Sequence, residues 1–432
     1  MVSNVKSVLI ILLAVLTVYQ TGVLWLVNLT NQSFLFNMLP FLNQELISES
    51  ANRLVVPRRI ILAHPDGRFS VQYNDMEGAR EYGDKVLSHL FQGGSFVNSR
   101  PFTYQMDEFL ANYQHAPNPI YIYEYAFPMK AEWFTQGFGQ RGNFLSSRIA
   151  AAFRRVIIVP PKYGEPNASV FFLCEEGYIH EFIVRPPNIG DFDTNVPGDF
   201  LGFDYIWAGE QFIRHGEFFF NGIHVTVPYA DTHGGFTLHF VQDQVSHFFS
   251  NPAAIQQIID RNVWIYRDAS TVVRYYDANV LEFISYRAID RNAPTSFVND
   301  FSTAIQFIDR DPNIINDTYL ADFRANGSQT IFYFNYVINN TPLVMPQNWP
   351  WSGHLPHPLI VVVDHGTVVN YRKLALNFIT NEDVWGIANA DFEGSDFTDV
   401  NLGFRIGNRG IEVLHWFVNG RNFPVPHTIF RD

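Results

Sequence analysis

The stretch "VWIYRDASTVVRYYDANVLEFIS", residues 263–285, decides the fold class of this chain. It holds three short runs rich in β-branched and aromatic residues, which the pairs Ala269–Ser270 and Ala278–Asn279 connect. Runs of this composition are typical of β-strands, and a two-residue connection allows only antiparallel neighbours. The stretch therefore predicts an antiparallel meander.

Segments with helical signals flank this meander. In "SNPAAIQQIIDRN", residues 250–262, Asn251 is placed to cap a helix and Pro252 to take its first position, where a missing N–H costs nothing. In "FVNDFSTAIQFIDR", residues 297–310, apolar residues recur at helical spacing. We therefore predict an α+β fold, in which antiparallel sheets carry helices on one face.

Composition shifts divide the chain into segments. The Gly/Pro/Asp-rich stretch "GDFDTNVPGDFLGFD", residues 190–204, separates an upstream group of predicted strands from the group that contains the meander. The predicted segments are a cytoplasmic stub at 1–7, a transmembrane helix at 8–27, a juxtamembrane stalk at 28–55, and α+β domains at 56–190, 191–294 and 295–432.

The first apolar segment is predicted to be a membrane anchor. Val8–Val27 is 20 residues without a charge, which in a helix spans about 30 Å, the thickness of a bilayer core. A cleaved signal peptide is disfavoured, because the apolar region of a signal peptide is shorter than this segment and ends at a small-x-small site. A buried helix of a soluble domain is disfavoured because nothing precedes the segment to pack on it. Trp25 suits the membrane interface, and Lys6 favours a cytoplasmic N-terminus with the bulk of the chain outside.

Composition excludes several classes of protein. The formal net charge is −13, which disfavours nucleic acid as a partner because phosphates are bound mainly by lysine and arginine. Cys174 is the only cysteine, so neither an intramolecular disulfide nor a cysteine-based zinc site can form. An external location without disulfides suits the surface of a Gram-positive bacterium.

Motifs for chemistry are weak throughout. "GFGQRG", residues 137–142, matches a dinucleotide-binding pattern, but a predicted helix precedes it and Lys162 stands where an acidic residue is needed. His354 and His357 are three residues apart, but Pro356 between them indicates a loop. Five further histidines crowd one region without an H-E-x-x-H motif: His215, His224, His233, His239 and His247. We therefore predict no catalytic residue, metal ligand or cofactor.

Several ordered segments resemble the YycH family. They are "HFFSNPAAIQQIIDRNVWIYRDASTVVRYYDANVLEFIS" at 247–285, "FYFNYVINNTPLVMP" at 332–346 and "DVNLGFRIGNRGIEVLHWFVNGRNF" at 399–423. They are similar to that family's aromatic strand after a short apolar helix, its strand entering an Asn-rich turn, and its Trp-containing final strand. Ala269 departs from the pattern, since the family has a glycine in this turn.

The resemblance implies a regulator and not an enzyme. YycH proteins sit beside the membrane sensor histidine kinase WalK, also called YycG, which controls cell-wall metabolism in low-GC Gram-positive bacteria. They act with a smaller companion membrane protein, YycI, through transmembrane helices and extracytoplasmic domains. Two alternatives stay open: an extracytoplasmic module that binds wall polymer or peptide through aromatic residues at Trp349–Trp351, and a membrane-tethered metal hydrolase that uses the histidine region.

One face of the predicted anchor is a candidate partner surface. At 100° per residue, five positions that include one small and three polar residues fall within an arc of about 120°, and they are Ala14, Thr17, Gln20, Thr21 and Leu24. Helices in membranes associate through small residues and through polar side chains that bond across the interface. We expect this stripe to contact a helix of the kinase or of its companion.

Overall fold

The structure is a computed structural model that describes most of the chain from residue 56 onward. The described residues are 56–64, 68–73, 85–102, 119–137, 145, 147–161, 165–175, 179–187, 203–207, 220–222, 224–232, 238–249, 251–276, 279–293, 295–312, 314, 318–338, 341–345, 353–375, 378–388, 400–407, 410–418 and 421–422. The predicted stub, anchor and stalk at 1–7, 8–27 and 28–55 lie outside them. No helix within these ranges is long and apolar enough to cross a bilayer.

A nine-stranded antiparallel sheet forms the first part of the structure. Its strands are β1 (Arg59–Ala63), β2 (Arg68–Tyr73), β3 (Ser95–Phe102), β4 (Ile120–Met129), β5 (Phe153–Val159), β6 (Ala168–Cys174), β7 (Ile179–Arg185), β8 (Phe203–Trp207) and β9 (Phe220–Gly222). They lie in the order β3-β7-β6-β5-β4-β1-β2-β8-β9. A π-helical turn, His89–Gly93, precedes β3, and the helix α1 (Ala131–Gly137) follows β4.

A second, larger sheet contains the meander. Its strands are β11 (Gln256–Asp260), β12 (Val263–Arg267), β13 (Thr271–Tyr276), β14 (Val280–Ser285), β15 (Thr318–Asn326), β16 (Gln329–Ile338), β17 (Thr341–Val344), β18 (Leu359–Asp364), β19 (Thr367–Leu374), β21 (Val400–Gly407), β22 (Gly410–Val418) and β23 (Arg421–Asn422). They lie in the order β11-β12-β13-β14-β19-β18-β16-β17-β21-β22-β23, and β15 pairs with β16 outside this path. The pair β17–β21 is parallel, and the other pairs of this sheet are antiparallel.

Two further strands and two helices complete the described elements: β10 (His224–Thr232), which pairs with β20 (Phe378–Ala388), α2 (Leu238–Ser246) and α3 (Phe297–Ile308). The mostly antiparallel sheets with few helices confirm the α+β class. Strands from both sides of residue 294 share the second sheet, and the predicted domain limits stay a prediction.

The helix α3 and the strands of the meander are as predicted, but the connections within the meander are three residues long, 268–270 and 277–279, and not two. β12, β13 and β14 pair in sequence, and α3 begins after Ser296, whose Oγ accepts a hydrogen bond from the backbone N–H of Asn299 at 3.2 Å. One helix is wrong. Asn251 does cap, because its Oδ1 accepts the N–H of Ala253 at 3.1 Å, but the capped turn is only a 3₁₀-helix, Pro252–Ala254, and β11 follows it. Pairing with β12 overrides the local helical signal there, since β-branched isoleucines favour a strand.

The helices cover one face of the second sheet. Alternate residues of a strand point to opposite faces, and Phe283 of β14 and Tyr371 of β19 are cross-strand partners on the covered face. The ring of Phe248, just after α2, lies 5.4 Å from that of Phe283 and 5.7 Å from that of Tyr371, measured between centroids. Phe307 of α3 packs on the same rings. This face is the apolar core of the second sheet.

An aromatic cluster joins the two sheets. Trp133 of α1 stacks on Phe297 of α3 with centroids 4.1 Å apart, and Phe323 of β15 packs edge-on against Trp133 at 5.3 Å. Phe127 of β4 meets the same Phe323 at 5.6 Å. Large aromatic rings in contact contribute strongly to packing energies, so the cluster holds the sheets to each other.

Candidate functional site

The predicted transmembrane surface lies outside the described residues. This applies to all five of its members: Ala14, Thr17, Gln20, Thr21 and Leu24. The stripe stays a prediction, and the candidate site among the described residues lies in the sheets.

The histidine region lies only partly within the described residues. His224 begins β10, His239 belongs to α2, and His247 follows α2, while His215 and His233 fall outside the described residues. Within the described ranges, no three side chains of the His, Cys, Asp and Glu types come close enough to hold a metal ion.

His357 is a structural residue of the loop before β18. Its Nδ1 lies 2.8 Å from Oδ1 of Asn335, and its ring packs 5.2 Å from that of Tyr333, measured between centroids. The pKa of His357 is lowered to about 4, mainly by burial; Asp322 opposes this shift and Arg324 adds to it. The imidazole is therefore neutral at pH 7.

This neutral histidine predicts a loss of stability in mild acid. The unfolded chain takes up a proton on His357 near pH 6.5, whereas the folded chain takes it up only near pH 4. The stabilisation is fully present above pH 6.5 and is lost as the pH falls toward 4, by about 3 kcal/mol in the free energy of unfolding. Urea unfolding at several pH values should show a shallower pH dependence for His357→Gln. The exposed His354 provides the control, since His354→Gln should keep the wild-type dependence.

The face of the meander opposite the helices is the candidate site. Register aligns Ile265 of β12 with Arg274, Arg274 with Glu282, and Glu282 with Arg372 of β19, so these four side chains form a row on one face. We call this row and its surroundings the open face. Ile265, Arg274 and Arg372 are half-buried, whereas the row of residues on the helix-covered face that contains Phe283 and Tyr371 is buried.

Glu282 is the centre of the open face. Its Oε2 accepts hydrogen bonds from Nη1 of Arg274 at 3.2 Å and from the hydroxyl of Tyr276 at 2.9 Å. Its Oε1 accepts one from Nε of Arg372 at 2.9 Å. Burial would raise the pKa of Glu282, but the hydrogen bond from Tyr276 and the charge of Arg372 outweigh burial and lower it. The carboxylate is therefore ionised at neutral pH.

A shallow cavity of about 340 Å³ lies on the open face. Its lining combines the sheet with the loop before β18: Tyr276, Val280, Glu282, His354, Leu355 and Arg372. Nη1 of Arg372 donates to the carbonyl of His354 at 3.1 Å, which ties this loop to the sheet. The cavity is thus a preformed feature with a charged floor and an apolar wall.

The charge states of the open face suit binding. The pKa of Arg274 is raised, since hydrogen bonds to Tyr276 and Glu282 outweigh the effect of burial, and that of Tyr276 is raised by burial and by Glu282. These groups keep fixed protonation states near neutral pH, whereas a general acid or base works best when its pKa is close to the working pH. The arrangement can hold charged or polar groups of a partner.

The open face ends at the exposed strand β11. All five of its residues are exposed, and Ile258 and Ile259 are 39% and 59% accessible. Ile258 pairs with Ile265 and Ile259 with Trp264 of β12. Exposed isoleucines on both faces of an edge strand are unusual for a surface in contact only with water.

The helix-covered face carries a buried ionic network. Nζ of Lys373 lies 2.7 Å from Oδ2 of Asp311 and donates to Oε1 of Gln244 at 2.9 Å. The hydroxyl of Tyr371 donates to Oδ2 of Asp311 at 2.8 Å. Lys373 and Tyr371 are fully inaccessible to solvent, so no substrate can reach them. This network joins α2, the segment after α3 and β19, and its role is structural.

Sequence reasoning did not find Glu282, Arg372 or Lys373. Arg274 is the third residue of "VVRYYD" and Glu282 is the third residue of "VLEFIS". Because side chains alternate between the two faces of a strand, this spacing could have placed both residues on one face of the meander. Arg372 is 90 residues from Glu282, and only the pairing of β14 with β19 brings the two together.

Comparisons with known proteins point to one fold. The sequence matches no protein-family model, and no curated protein matches it. The structure is similar to the crystal structure of YycH from Bacillus subtilis, with a TM-score of 0.55 and 11% sequence identity, over 88% of this chain and 96% of that chain. The sequence resemblance to YycH is confirmed at the level of structure, and the chain has a YycH-like fold.

Proposed function

We propose that this chain is a non-enzymatic, membrane-anchored regulator of a sensor histidine kinase that controls cell-wall metabolism. The observation that carries the proposal is the YycH-like fold over 88% of the chain. The open face supports it, because a preformed surface with charged side chains can bind charged or polar groups of a protein partner.

The proposal places the described sheets outside the cell and the segment 8–27 in the membrane. The kinase, of the WalK type, and a YycI-like companion would contact the chain through helices in the bilayer and through the sheets outside it. Lipid tails give no hydrophobic drive for helix association, so specificity there depends on small and polar residues such as Thr17, Gln20 and Thr21.

Co-purification tests the proposal. The full-length chain, tagged and isolated from membranes of its source organism, should carry a sensor histidine kinase with it. Deletion of the chain should change phosphorylation of the cognate response regulator. Glycan fragments without kinase in the eluate would contradict the proposal and favour a wall-polymer binding module.

The contribution of the membrane stripe has its own prediction. Replacing Thr17, Gln20 and Thr21 together with leucine should leave the chain inserted and abundant but weaken kinase recovery, since each polar contact contributes roughly 0.6–2 kcal/mol. Quantitative immunoblotting of the co-purified kinase measures the loss.

A matched change on the other side of the same helix is the control. The triple variant Leu9→Val, Leu12→Val and Leu16→Val should keep kinase recovery near the wild-type value. Equal recovery with the two triple variants would contradict a role for the stripe and leave the sheets outside the bilayer as the contact.

A further inference from the structure

β11 is an unprotected edge of the second sheet. It pairs with β12 on one side, and no strand among the described residues pairs with its other side. Natural edges are usually blunted by lysine, proline or a bulge. The edge strand β3 of the first sheet has such protection, with a register shift between Phe96 and Asn98 and with Pro101. β11, "QQIID", has no lysine, no proline and an unbroken register with β12.

The hairpin geometry decides which backbone groups of β11 face outward. Arg261 and Asn262 form a two-residue turn between Asp260 and Val263, and such a turn is closed by a hydrogen bond between its flanking residues. Along an antiparallel pair, hydrogen-bonded and non-hydrogen-bonded positions alternate. The N–H and C=O groups of Asp260, Ile258 and Gln256 therefore point to β12, and those of Gln257 and Ile259 point outward.

We propose that β11 pairs with β11 of a second copy of this chain, antiparallel and about a two-fold axis at Ile258. In this register Gln257 faces Ile259 of the other copy and Ile259 faces its Gln257. Both are hydrogen-bonded positions, so all the outward backbone groups of β11 find partners in four hydrogen bonds. An isologous contact of this kind closes on itself and forms a dimer.

Side chains favour this register as well. Residues directly opposite each other share a face, so the isoleucines at 265 and 258 of both copies form one apolar row across the junction. Asp260 of each copy lies opposite Gln256 of the other, whose Oε1 accepts a hydrogen bond from Nε of Arg267 at 3.2 Å. Asp260 of one copy and the exposed Arg267 of the other therefore lie in the same row, with Gln256 between them, at both ends of the strand.

The contact is small, and this decides how it is measured. A stable protein–protein interface buries at least about 1,200 Å² of accessible surface, and one five-residue strand from each copy buries less. We therefore expect a weak, reversible pair, which disulfide cross-linking of the full-length chain can trap. Cys174, the only native cysteine, is buried, and the wild-type chain should give no cross-linked dimer.

Cysteine substitutions along β11 test the register. Ile258→Cys places the two thiols at a non-hydrogen-bonded pair with Cα atoms about 4.5 Å apart, which suits a disulfide. Gln256→Cys and Asp260→Cys also place exposed thiols on the same face as Ile258. In each of these two variants, however, the thiols of the two copies would be separated by about 13 Å along the strands. Ile258→Cys should cross-link at least about tenfold more than either of them alone. An equal mixture of Gln256→Cys and Asp260→Cys chains should give mixed dimers.

A proline at the outward-facing Gln257 is the second test. Gln257→Pro, added to Ile258→Cys, removes an N–H that the hairpin with β12 does not use. It should abolish the cross-link while circular dichroism and the melting temperature stay close to those of the parent. The proposal is overturned if Ile258→Cys and Gln256→Cys cross-link equally, if neither forms a dimer, or if the proline leaves the cross-link unchanged.

Discussion

Replacing Lys373 with methionine is expected to reduce the free energy of unfolding by about 3–5 kcal/mol. The side chains of Lys373 and Asp311 are 1% and 0% accessible, and their charged atoms lie 2.7 Å apart. Methionine fills a similar volume but leaves the Asp311 carboxylate buried without its counter-ion. Tyr371 still donates to this carboxylate and Nε2 of His247 lies 3.4 Å from its Oδ1, but these contacts do not replace the ammonium of Lys373. Urea unfolding followed by circular dichroism measures the loss.

Two further variants distinguish the buried charge from lost packing. The double variant Lys373→Met with Asp311→Asn leaves no uncompensated charge and should recover part of the lost stability. Lys130→Met changes an exposed lysine whose Nζ lies 4.9 Å from the ring centroid of Trp133, and it should cost less than about 1 kcal/mol. A double variant less stable than Lys373→Met would contradict the electrostatic explanation.

Replacing Glu124 with glutamine is expected to cost a similar amount, about 3–5 kcal/mol at pH 7. Glu124 of β4 is 2% accessible, and three arginines surround its carboxylate. Nε of Arg59 lies 3.0 Å from Oε1, Nε of Arg155 lies 3.1 Å from Oε2, and Arg58 also donates to Oε1. Glutamine keeps the shape but removes the negative charge that neutralises these guanidinium groups.

The effect of this substitution should depend on pH. Burial alone would raise the pKa of Glu124, but the charges of Arg59, Arg58 and Arg155 outweigh burial and hold it well below its ordinary value. The stabilisation is present above the pKa of the unfolded chain, about 4.3, and is lost as the pH falls below that value. The difference in unfolding free energy between wild type and Glu124→Gln should therefore shrink as the pH falls from 5 to 3.

An exposed ion pair provides the control for Glu124. Arg154 and Glu175 lie 2.8 Å apart, but their side chains are 46% and 44% accessible. Glu175→Gln should cost less than about 1 kcal/mol, because water screens such pairs and the two side chains lose entropy in forming them. If Glu124→Gln and Glu175→Gln lower the free energy of unfolding by the same amount at pH 7, the Glu124 cluster stabilises the fold no more than an exposed ion pair does.

The strand β11 shows where prediction from local sequence fails. Asn251 and Pro252 form a helix-start signal, and the cap exists, but the helix ends after Ala254. The following residues form a strand because β12 offers a partner across a two-residue turn, and a local signal carries no information about that partner. The proposed dimer contact uses this same strand, so the local helical signal gave the wrong structure for the residues that form the proposed contact.

The sequence by itself determined the elements whose signals are local. Short connections between runs of β-branched and aromatic residues determined the antiparallel meander, and apolar residues at helical spacing determined α3. The ordered aromatic strands also carried the resemblance to YycH, which the fold confirms. Such features depend on residues a few positions apart, and the backbone periods of strand and helix make them visible in a single chain.

Only the tertiary structure decided which charged residues meet. Glu282 reaches Arg372 across 90 positions, Lys373 reaches Gln244 across 129, and Glu124 reaches Arg59 across 65. Each contact depends on the register between two strands or on the packing of a helix over a sheet. Both are determined by segments that are far apart in the sequence. A shift of one residue in a strand would turn every side chain to the opposite face, so composition and spacing along the chain cannot specify these pairs.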